Sequence, residues 1–323
     1  MGNLARTLLA MFSLMIILAS AAAASGQDDE GPLLKKHGPI HFDGSNITGG
    51  LPEGVTGNGT SENPFLISGL WINTTDSPGI VIRNSTSHMV VDYNLFTNGI
   101  PPVHPGILIE NSSNVIVRNV AAYYCSRGVE VRNCSGIRIS DSGFFGSYDG
   151  IHIQGRDITV ENVLCKVNVE NGIMVNRSRN VTISRVIAEL NTAILGYTSG
   201  IHLLDSSDVD ILDTTTTLNY GFGLIVETSN DSTRSSGIRI ARSYIDTNNN
   251  GIFMSRVSNS SVEETSVRYN TNGVQLFSAS DLLISECAFL QEHLRSVPER
   301  FQGYRDQGFG LRGERERGLP GLN

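Results

Sequence analysis

One column of residues in this sequence carries side chains that can bind metals or transfer protons. The residues stand two positions after a recurring glycine, and in four consecutive repeats they are Glu130, His152, Met174 and His202. Imidazole and thioether ligands suit Cu(I), whereas imidazole with carboxylate suits zinc. If the repeats stack as neighbouring strands, adjacent members lie about 5 Å apart and the two histidines about 10 Å apart. The column is the first candidate for a ligand or metal site, and an ordinary solvent-facing row is the alternative.

A second group of oxygen ligands surrounds one predicted strand and consists of Asp205, Asp208, Asp210 and Asp213. Carboxylates at this density suit Ca²⁺. Strand alternation separates Asp208 and Asp210 from the two flanking turn residues, which weakens the site. Calcium and copper are therefore the candidate ions, and no other cofactor is expected.

Catalysis on a polysaccharide is the main alternative to simple binding. Glycoside hydrolysis needs two carboxylates a few ångströms apart. The segment SYDGIHI, residues 147–153, is similar to the Asn-Thr-Asp-Gly segment of polygalacturonases, but the adjacent Asp pair, Gly-His-Gly and Arg-x-Lys partners are missing. We expect Asp149 to occupy the turn position that Asn171, Asn250 and Asn272 fill elsewhere. A non-catalytic role is therefore favoured over a lyase, hydrolase or epimerase.

A repeat of about 22 residues organises these candidates. A glycine followed by Ile, Val or Leu recurs at intervals of 27, 22, 22, 22, 28, 23, 28 and 22 residues. These glycines are Gly79, Gly106, Gly128, Gly150, Gly172, Gly200, Gly223, Gly251 and Gly273. Three longer intervals contain the loop-like segments NGIPPVHP, TAILGYTS and TSNDSTRSS. Each repeat holds three short aliphatic runs separated by Asn, Ser and Gly, as one coil of a parallel β-helix requires.

The repeat predicts an all-β fold, a single right-handed parallel β-helix of nine to ten coils. Alternation places the residue after each glycine inside the solenoid and the next one outside. The predicted interior column is Ile80, Ile107, Val129, Ile151, Ile173, Ile201, Leu224, Ile252 and Val274. Asn84, Asn111 and Asn133 share a turn position, where amide ladders are expected. No helical segments of the length that an α/β fold needs are visible.

The segment GNGTSENPFLISGLWIN, residues 57–73, resembles the first coil of NosD-like carbohydrate-binding-and-sugar-hydrolase (CASH) β-helix proteins. The resemblance covers about residues 40–290 and implies the fold. Such proteins are common among secreted and surface proteins of methanogenic archaea. Relatives bind or process polysaccharides, form surface layers or, for NosD itself, assist maturation of a periplasmic copper enzyme. The resemblance does not choose among these roles.

The termini predict export. Arg6, the apolar run at 8–19 and a small-residue site near Ala24 are typical of a cleaved signal peptide. The predicted organisation is a signal peptide at 1–25, a linker at 26–40, the β-helix at 41–290 with its first coil at 57–75, and an irregular tail at 291–323. No further segment is long and apolar enough to cross a membrane once the signal is removed.

Charge and cysteines narrow the setting further. A net charge of −8 without a basic stripe argues against nucleic acid as a partner. The four cysteines, Cys125, Cys134, Cys165 and Cys287, are expected to be buried free thiols, and one disulfide between the first two is the alternative.

Asn-x-Ser/Thr sequences add candidate glycosylation sites. They lie at Asn46, Asn58, Asn73, Asn84, Asn111, Asn133, Asn176, Asn180, Asn230 and Asn259. Aromatic residues near the outer faces suit stacking on sugar rings. They are Tyr148, Tyr197, Tyr220, Phe253 and Phe277. The sequence thus predicts a secreted or cell-envelope protein that presents a rigid polar face to a glycan or an envelope protein.

Overall fold

A computed structural model of the protein describes residues 34–98, 102–192, 198–229 and 235–290. The predicted signal peptide and the predicted tail lie outside these residues. Within them the chain winds as a solenoid in which strands pair in parallel, coil upon coil. The first strand, Lys35–His37, pairs with Leu70–Ile72, so regular structure begins within the segment 26–40. A short 3-10 helix, Gly44–Gly49, follows the second strand.

Each coil contributes a strand to three faces, which we name A, B and C in chain order. Face A contains Ile40–Asp43, Ile80–Arg83, Ile107–Glu110, Asn171–Asn176, Ser199–Leu204, Phe222–Glu227, Asn250–Ser255 and Asn272–Phe277. Face B contains Phe65–Ser68, Met89–Asp92, Ser113–Arg118, Arg179–Ser184, Ser207–Leu212, Ser235–Ala241, Val257–Glu263 and Ser280–Ser285. Face C contains Lys35–His37, Leu70–Asn73, Leu95–Thr97, Ala121–Tyr123, Ile187–Glu189, Thr215–Thr217, Tyr244–Asp246, Ser266–Arg268 and Ala288–Leu290. Two long strands, Arg127–Phe145 and Asp149–Lys166, pass around all three faces.

The predicted interior column is confirmed in register and burial. Ile107 pairs with Val129, Val129 with Ile151, and Ile151 with Ile173, and all of these side chains are buried. Full burial of one such aliphatic side chain contributes about 1.5–3 kcal/mol. The core therefore runs the length of the solenoid and holds each coil against the next.

The recurring glycine is explained by close approach between coils. A Cβ atom on Gly150 would lie 2.6 Å from the carbonyl oxygen of Gly172 and 2.9 Å from Cys165 Sγ. Both contacts are shorter than non-bonded atoms tolerate, so a side chain there forces the coils apart. The spacing of the repeat is thus set by backbone packing at the start of face A.

The corner between faces A and B carries the predicted asparagine row. Asn84, Asn111 and Asn133 have φ angles of 50°, 49° and 50°, a left-handed conformation that asparagine tolerates. Asn133 Nδ2 donates to Asn111 Oδ1 at 2.9 Å, so the predicted amide ladder forms between these two coils. Asn84 Nδ2 instead contacts the carboxylate of Asp43 at 3.3 Å.

A second amide ladder, which the sequence analysis did not identify, lies inside the corner between faces C and A. Its members are the buried residues Asn168, Asn191, Asn219, Asn248 and Asn270. Each Oδ1 accepts the backbone N–H and Nδ2 of the residue one coil earlier, at 2.8–3.1 Å between Asn191, Asn219 and Asn248. The ladder satisfies buried backbone groups where the chain turns, as buried polar groups require.

The four cysteines are free thiols. Burial raises the pKa of the Cys125 thiol to about 12 and raises that of Cys165 further. Cys125 lies at the corner before face A, whereas Cys134 lies at the corner after it. Among the residues that the structure describes, none forms a helix that is long and apolar enough to span a membrane.

Candidate ligand-binding face

The outer side of face A presents three parallel columns of side chains. The middle column is His41, Val81, Leu108, Glu130, His152, Met174, His202, Ile225, Phe253 and Gln275. The leading column, one residue before each glycine, is Arg127, Asp149, Asn171, Ser199, Phe222, Asn250 and Asn272. The trailing column includes Glu110, Arg132 and Gln154, and later Glu227, Ser255 and Phe277. The register of the predicted outward ladder is therefore confirmed.

Glu130 is the most heavily paired member of the predicted ladder. Its Oε1 atom accepts from Arg127 Nη1 at 2.7 Å and from Arg132 Nε at 2.8 Å. The residue is only 3% exposed. A carboxylate held between two guanidinium groups is stabilised in its charged form. Glu130 therefore fixes the two arginines on the face and has little capacity left for a ligand.

His152 is hydrogen-bonded to the carboxylate of Asp149 in the leading column. The distance from His152 Nδ1 to Asp149 Oδ2 is 3.1 Å, and Arg127 Nε lies 3.5 Å from the same oxygen. Asp149 does occupy the column of Asn171, as predicted, and its Oδ1 accepts from Asn171 Nδ2 at 3.0 Å. A carboxylate on Nδ1 orients the ring and makes Nε2 the atom that faces other partners. This pair has the arrangement of a proton-transfer group.

Met174 and His202 continue the column without converging on His152. His202 Nε2 lies 3.0 Å from Oε1 of Glu227, in the trailing column of the next coil. The two histidines are thus tied to carboxylates on opposite edges of the face. The hydrogen bond from His202 lowers the pKa of Glu227, burial opposes this, and the charge of the imidazolium adds to the lowering. Within residues 34–98, 102–192, 198–229 and 235–290, no group of three or more His, Cys, Asp and Glu is arranged to hold a metal ion.

The four aspartates of the predicted calcium site each have their own partner. Asp205 accepts from Ser229 N at 2.8 Å and Ser229 Oγ at 2.7 Å, and these bonds together with the charge of Arg177 outweigh burial, which raises its pKa, so that the net pKa is lowered. The hydrogen bond from Arg242 lowers the pKa of Asp213.

The other two aspartates of this group lie on face B. Asp208 contacts Arg179 Nε at 2.8 Å, and Asp210 lies within the strand Ser207–Leu212. Calcium binding by the group Asp205, Asp208, Asp210 and Asp213 stays a prediction.

An aromatic–amide patch occupies the C-terminal part of face A. We define it as Phe222, Asn250, Phe253, Asn272, Gln275 and Phe277. The ring centroids of Phe222 and Phe253 are 5.6 Å apart, and those of Phe253 and Phe277 are 5.3 Å apart. All six residues are partly or fully exposed. A row of aromatic rings therefore crosses all three columns and three successive coils.

The amides of the patch are arranged around the rings. Asn250 Oδ1 accepts from Asn272 Nδ2 at 2.8 Å and from Gln275 Nε2 at 3.2 Å. These bonds orient the side chains and leave the oxygens of Asn272 and Gln275 as acceptors for ligand hydroxyls. The sequence analysis singled out Phe253 and Phe277 but missed Phe222 and the amides, since the insertion before Gly251 obscures their alignment.

The remaining sequence-predicted residues are distributed over the surface. Tyr148 and Tyr220 are exposed, and Tyr197 lies outside the described residues. Asparagines with exposed side chains at candidate glycosylation sites are Asn46, Asn58, Asn73, Asn84, Asn111, Asn133, Asn180 and Asn259. Asn176 is half-buried, and Asn230 lies outside the described residues. Glycosylation stays a prediction at all ten.

The chain matches the family model of the right-handed β-helix region over residues 53–209 and 191–292. It therefore belongs to the right-handed β-helix family, and the predicted fold class is confirmed. No curated protein matches the chain.

Solved structures share the fold at low sequence identity. The A-module of mannuronan C-5 epimerase AlgE4 from Azotobacter vinelandii is 11% identical with a TM-score of 0.59, and the match covers 91% of this chain and 94% of that chain. The enzymatically active domain of bacteriophage CBA120 tailspike protein 2 is 12% identical with a TM-score of 0.57, covering 72% and 42%. PfbA, a surface adhesin of Streptococcus pneumoniae, is 11% identical with a TM-score of 0.52, covering 90% and 89%. These likenesses establish the architecture.

Proposed function

We infer that this chain is a secreted or cell-envelope β-helix protein that binds a carbohydrate chain along the outer side of face A. The observation that carries the inference is the aromatic–amide patch. The apolar faces of sugar rings stack on aromatic side chains, and amides bond to the hydroxyl groups at the ring edges. The neighbours named as a polysaccharide epimerase, a phage tailspike and a surface adhesin support a carbohydrate-related role.

The solenoid suits a linear ligand for a geometric reason. Successive coils repeat every 4.7–4.9 Å or so along the axis, which is close to the length of one sugar unit in an extended chain. Equivalent side chains in adjacent columns therefore meet equivalent groups of a polymer. An envelope protein presenting such a glycan is a partner of the same kind.

A glycan array followed by calorimetric titration of the strongest hit tests this function. The variant Phe253→Gln/Phe277→Ser places in each column the residue of a neighbouring coil, Gln275 and Ser255, and so keeps the coil spacing. We expect at least a tenfold weaker affinity, because stacking interactions of about 1 kcal/mol each are lost at two rings. Tyr269→Ser, an exposed aromatic residue away from face A, is the matched control. Binding that is equal in the variant and the control contradicts the assignment, as does the absence of any glycan hit.

The Asp149–His152 pair favours one second function, a polysaccharide lyase, hydrolase or epimerase. His152 Nε2 would transfer a proton while Asp149 holds the ring by Nδ1. Incubation with polyuronates, followed by proton NMR of the product, measures cleavage and epimerisation together. Turnover that is lost in His152→Gln and retained in His202→Gln supports an enzyme, and the absence of turnover on every polymer tested removes it.

The finer resemblance to NosD-like proteins, with copper handling and an archaeal setting, belongs to the same group of proposals. It is supported by the Met174 thioether between two imidazoles in register. Copper retained after dialysis of the wild-type chain, and lost in Met174→Leu, would support it. Calcium retention by the wild-type chain, measured in the same samples, tests the aspartate group.

A further inference from the structure

A groove interrupts the corner between faces A and B at one coil. Its volume is about 500 Å³, and its walls are formed by Asn133, Cys134, Ser135, Gln154, Gly155, Arg156, Arg177 and Arg179. The groove exists because one residue is missing. Asn133 forms the left-handed corner of its own coil, but the next coil pairs Gln154 with Arg132 and Gly155 with Cys134, which leaves Asn133 without a counterpart.

The corner is restored one coil later. Arg177 takes the left-handed conformation there, with φ 47°. The missing corner residue and the absent side chain of Gly155 therefore open a notch between the Asn133 coil and the Arg177 coil. No other residue of this corner is needed to form it.

The start of face B shows that the arginines are specific to this notch. Equivalent residues in eight successive coils are Ser113, Ser135, Arg156, Arg179, Ser207, Ser236, Ser258 and Ser280. The position is serine in every one of these coils except the two that line the groove. The fold therefore does not require arginine here.

The arrangement of these charges is unfavourable without a ligand. Arg156 and Arg179 are in direct register on neighbouring strands, where like charges destabilise a sheet. Arg177 adds a third guanidinium, and the eight residues that line the groove include no carboxylate.

Nearby carboxylates contact the three arginines only at Nε. The distances are 3.8 Å from Arg156 to Asp157, 3.7 Å from Arg177 to Asp205 and 2.8 Å from Arg179 to Asp208. The terminal nitrogens of the guanidinium groups are thus left for other partners.

We propose that this groove binds the acidic group of a glycan chain, a carboxylate or a sulfate. Guanidinium groups bind both in a bidentate manner, and three of them converge on the one groove. The volume exceeds that of a lone inorganic anion and falls in the range of small-molecule sites. The amides of Asn133 and Gln154 line the same groove and can bond to sugar hydroxyls. The inference rests on the proposed function only in taking the ligand to be a glycan.

The test uses substitutions that the repeat itself supplies. Arg156→Ser/Arg179→Ser installs the serine of the other six coils, so the coil geometry is retained. The matched control, Arg138→Ser/Arg239→Ser, removes two arginines from the same face outside the groove. Calorimetry measures the binding of tetragalacturonate, which carries carboxylates, of a carrageenan tetrasaccharide, which carries sulfates, and of neutral galactotetraose.

For at least one acidic tetrasaccharide we expect the groove variant to bind at least tenfold more weakly than the control. Its melting temperature should equal or exceed that of the wild type, because two stacked like charges are removed. Whichever acidic probe binds identifies the source of the anion. Binding that is equal in the groove variant and the control overturns the proposal, as does a wild-type chain that binds neither acidic probe. The function proposed for face A fails separately, through its own Phe253→Gln/Phe277→Ser variant.

Discussion

Substitution of Asn219 by alanine should destabilise the solenoid far more than its small size suggests. Asn219 Oδ1 accepts from Asn191 N at 3.1 Å and from Asn191 Nδ2 at 2.8 Å. Its own Nδ2 donates to the carbonyl oxygen of Ala188 at 3.0 Å and to Asn248 Oδ1 at 2.8 Å. Asn219 is 2% exposed, so water does not replace these bonds in the folded state.

The magnitude follows from the groups that lose their partners. Asn191 N and Nδ2 lose their main acceptor, whereas Asn248 Oδ1 keeps the bond from the backbone N–H of residue 219. A buried group left unsatisfied costs about 1–3 kcal/mol, so two such groups and the lost amide contacts cost about 3–5 kcal/mol. A domain typically has about 5–15 kcal/mol of stability, so this loss is a large fraction.

Equilibrium unfolding in urea, followed by circular dichroism and by tyrosine fluorescence, measures this loss. Asn73→Ala, at an exposed strand end, is the matched control and should change the free energy of unfolding by less than about 0.5 kcal/mol. Two probes are needed because long repeat arrays can unfold in more than one step. A loss below about 1.5 kcal/mol for Asn219→Ala would refute the view that the ladder is a main source of stability.

Three further predictions concern charges and thiols. Glu130→Gln should lower the free energy of unfolding by about 1–3 kcal/mol, measured in urea, because two arginines on a buried carboxylate lose their counter-charge. The lowered pKa of Glu227 means that its pairing with His202 stabilises the fold above the ordinary glutamate pKa of 4.5, and that this contribution is lost as the pH falls through the folded value. Glu227→Gln should therefore flatten the acid side of a plot of melting temperature against pH, and an unchanged acid limb would count against the pairing. The thiols of Cys125 and Cys165 should react with DTNB at pH 8 only after unfolding, because burial raises the pKa of both, and rapid reaction of the native chain would contradict their placement.

The sequence determined the fold through periodicity. Alternation along a strand and stacking between coils leave one arrangement for a glycine-aliphatic repeat of 22 residues. The inward column through Ile151 and the outward column through His152 could both be assigned by counting. The left-handed corner at Asn133 could also be assigned, because few residues other than glycine and asparagine tolerate that conformation.

The buried amide ladder could have been found but was missed. Asn168 and Asn219 each precede a repeat glycine by four residues, and Asn270 precedes one by three. The insertions place Asn191 nine residues before its glycine, which breaks the pattern. Asparagine is also an ordinary turn residue, so its burial cannot be read from its type.

Only the tertiary structure decided which partners the candidate site residues take. His152 and His202 have the same position in the repeat, yet one pairs with Asp149 on the leading column and the other with Glu227 on the trailing column. Side-chain rotation chooses between neighbours that are equally close in register, and no spacing in the sequence encodes that choice. The groove beside Gly155 arises in the same way. A one-residue deletion is visible in the sequence, but the cavity it opens depends on how three arginines from two coils pack around it.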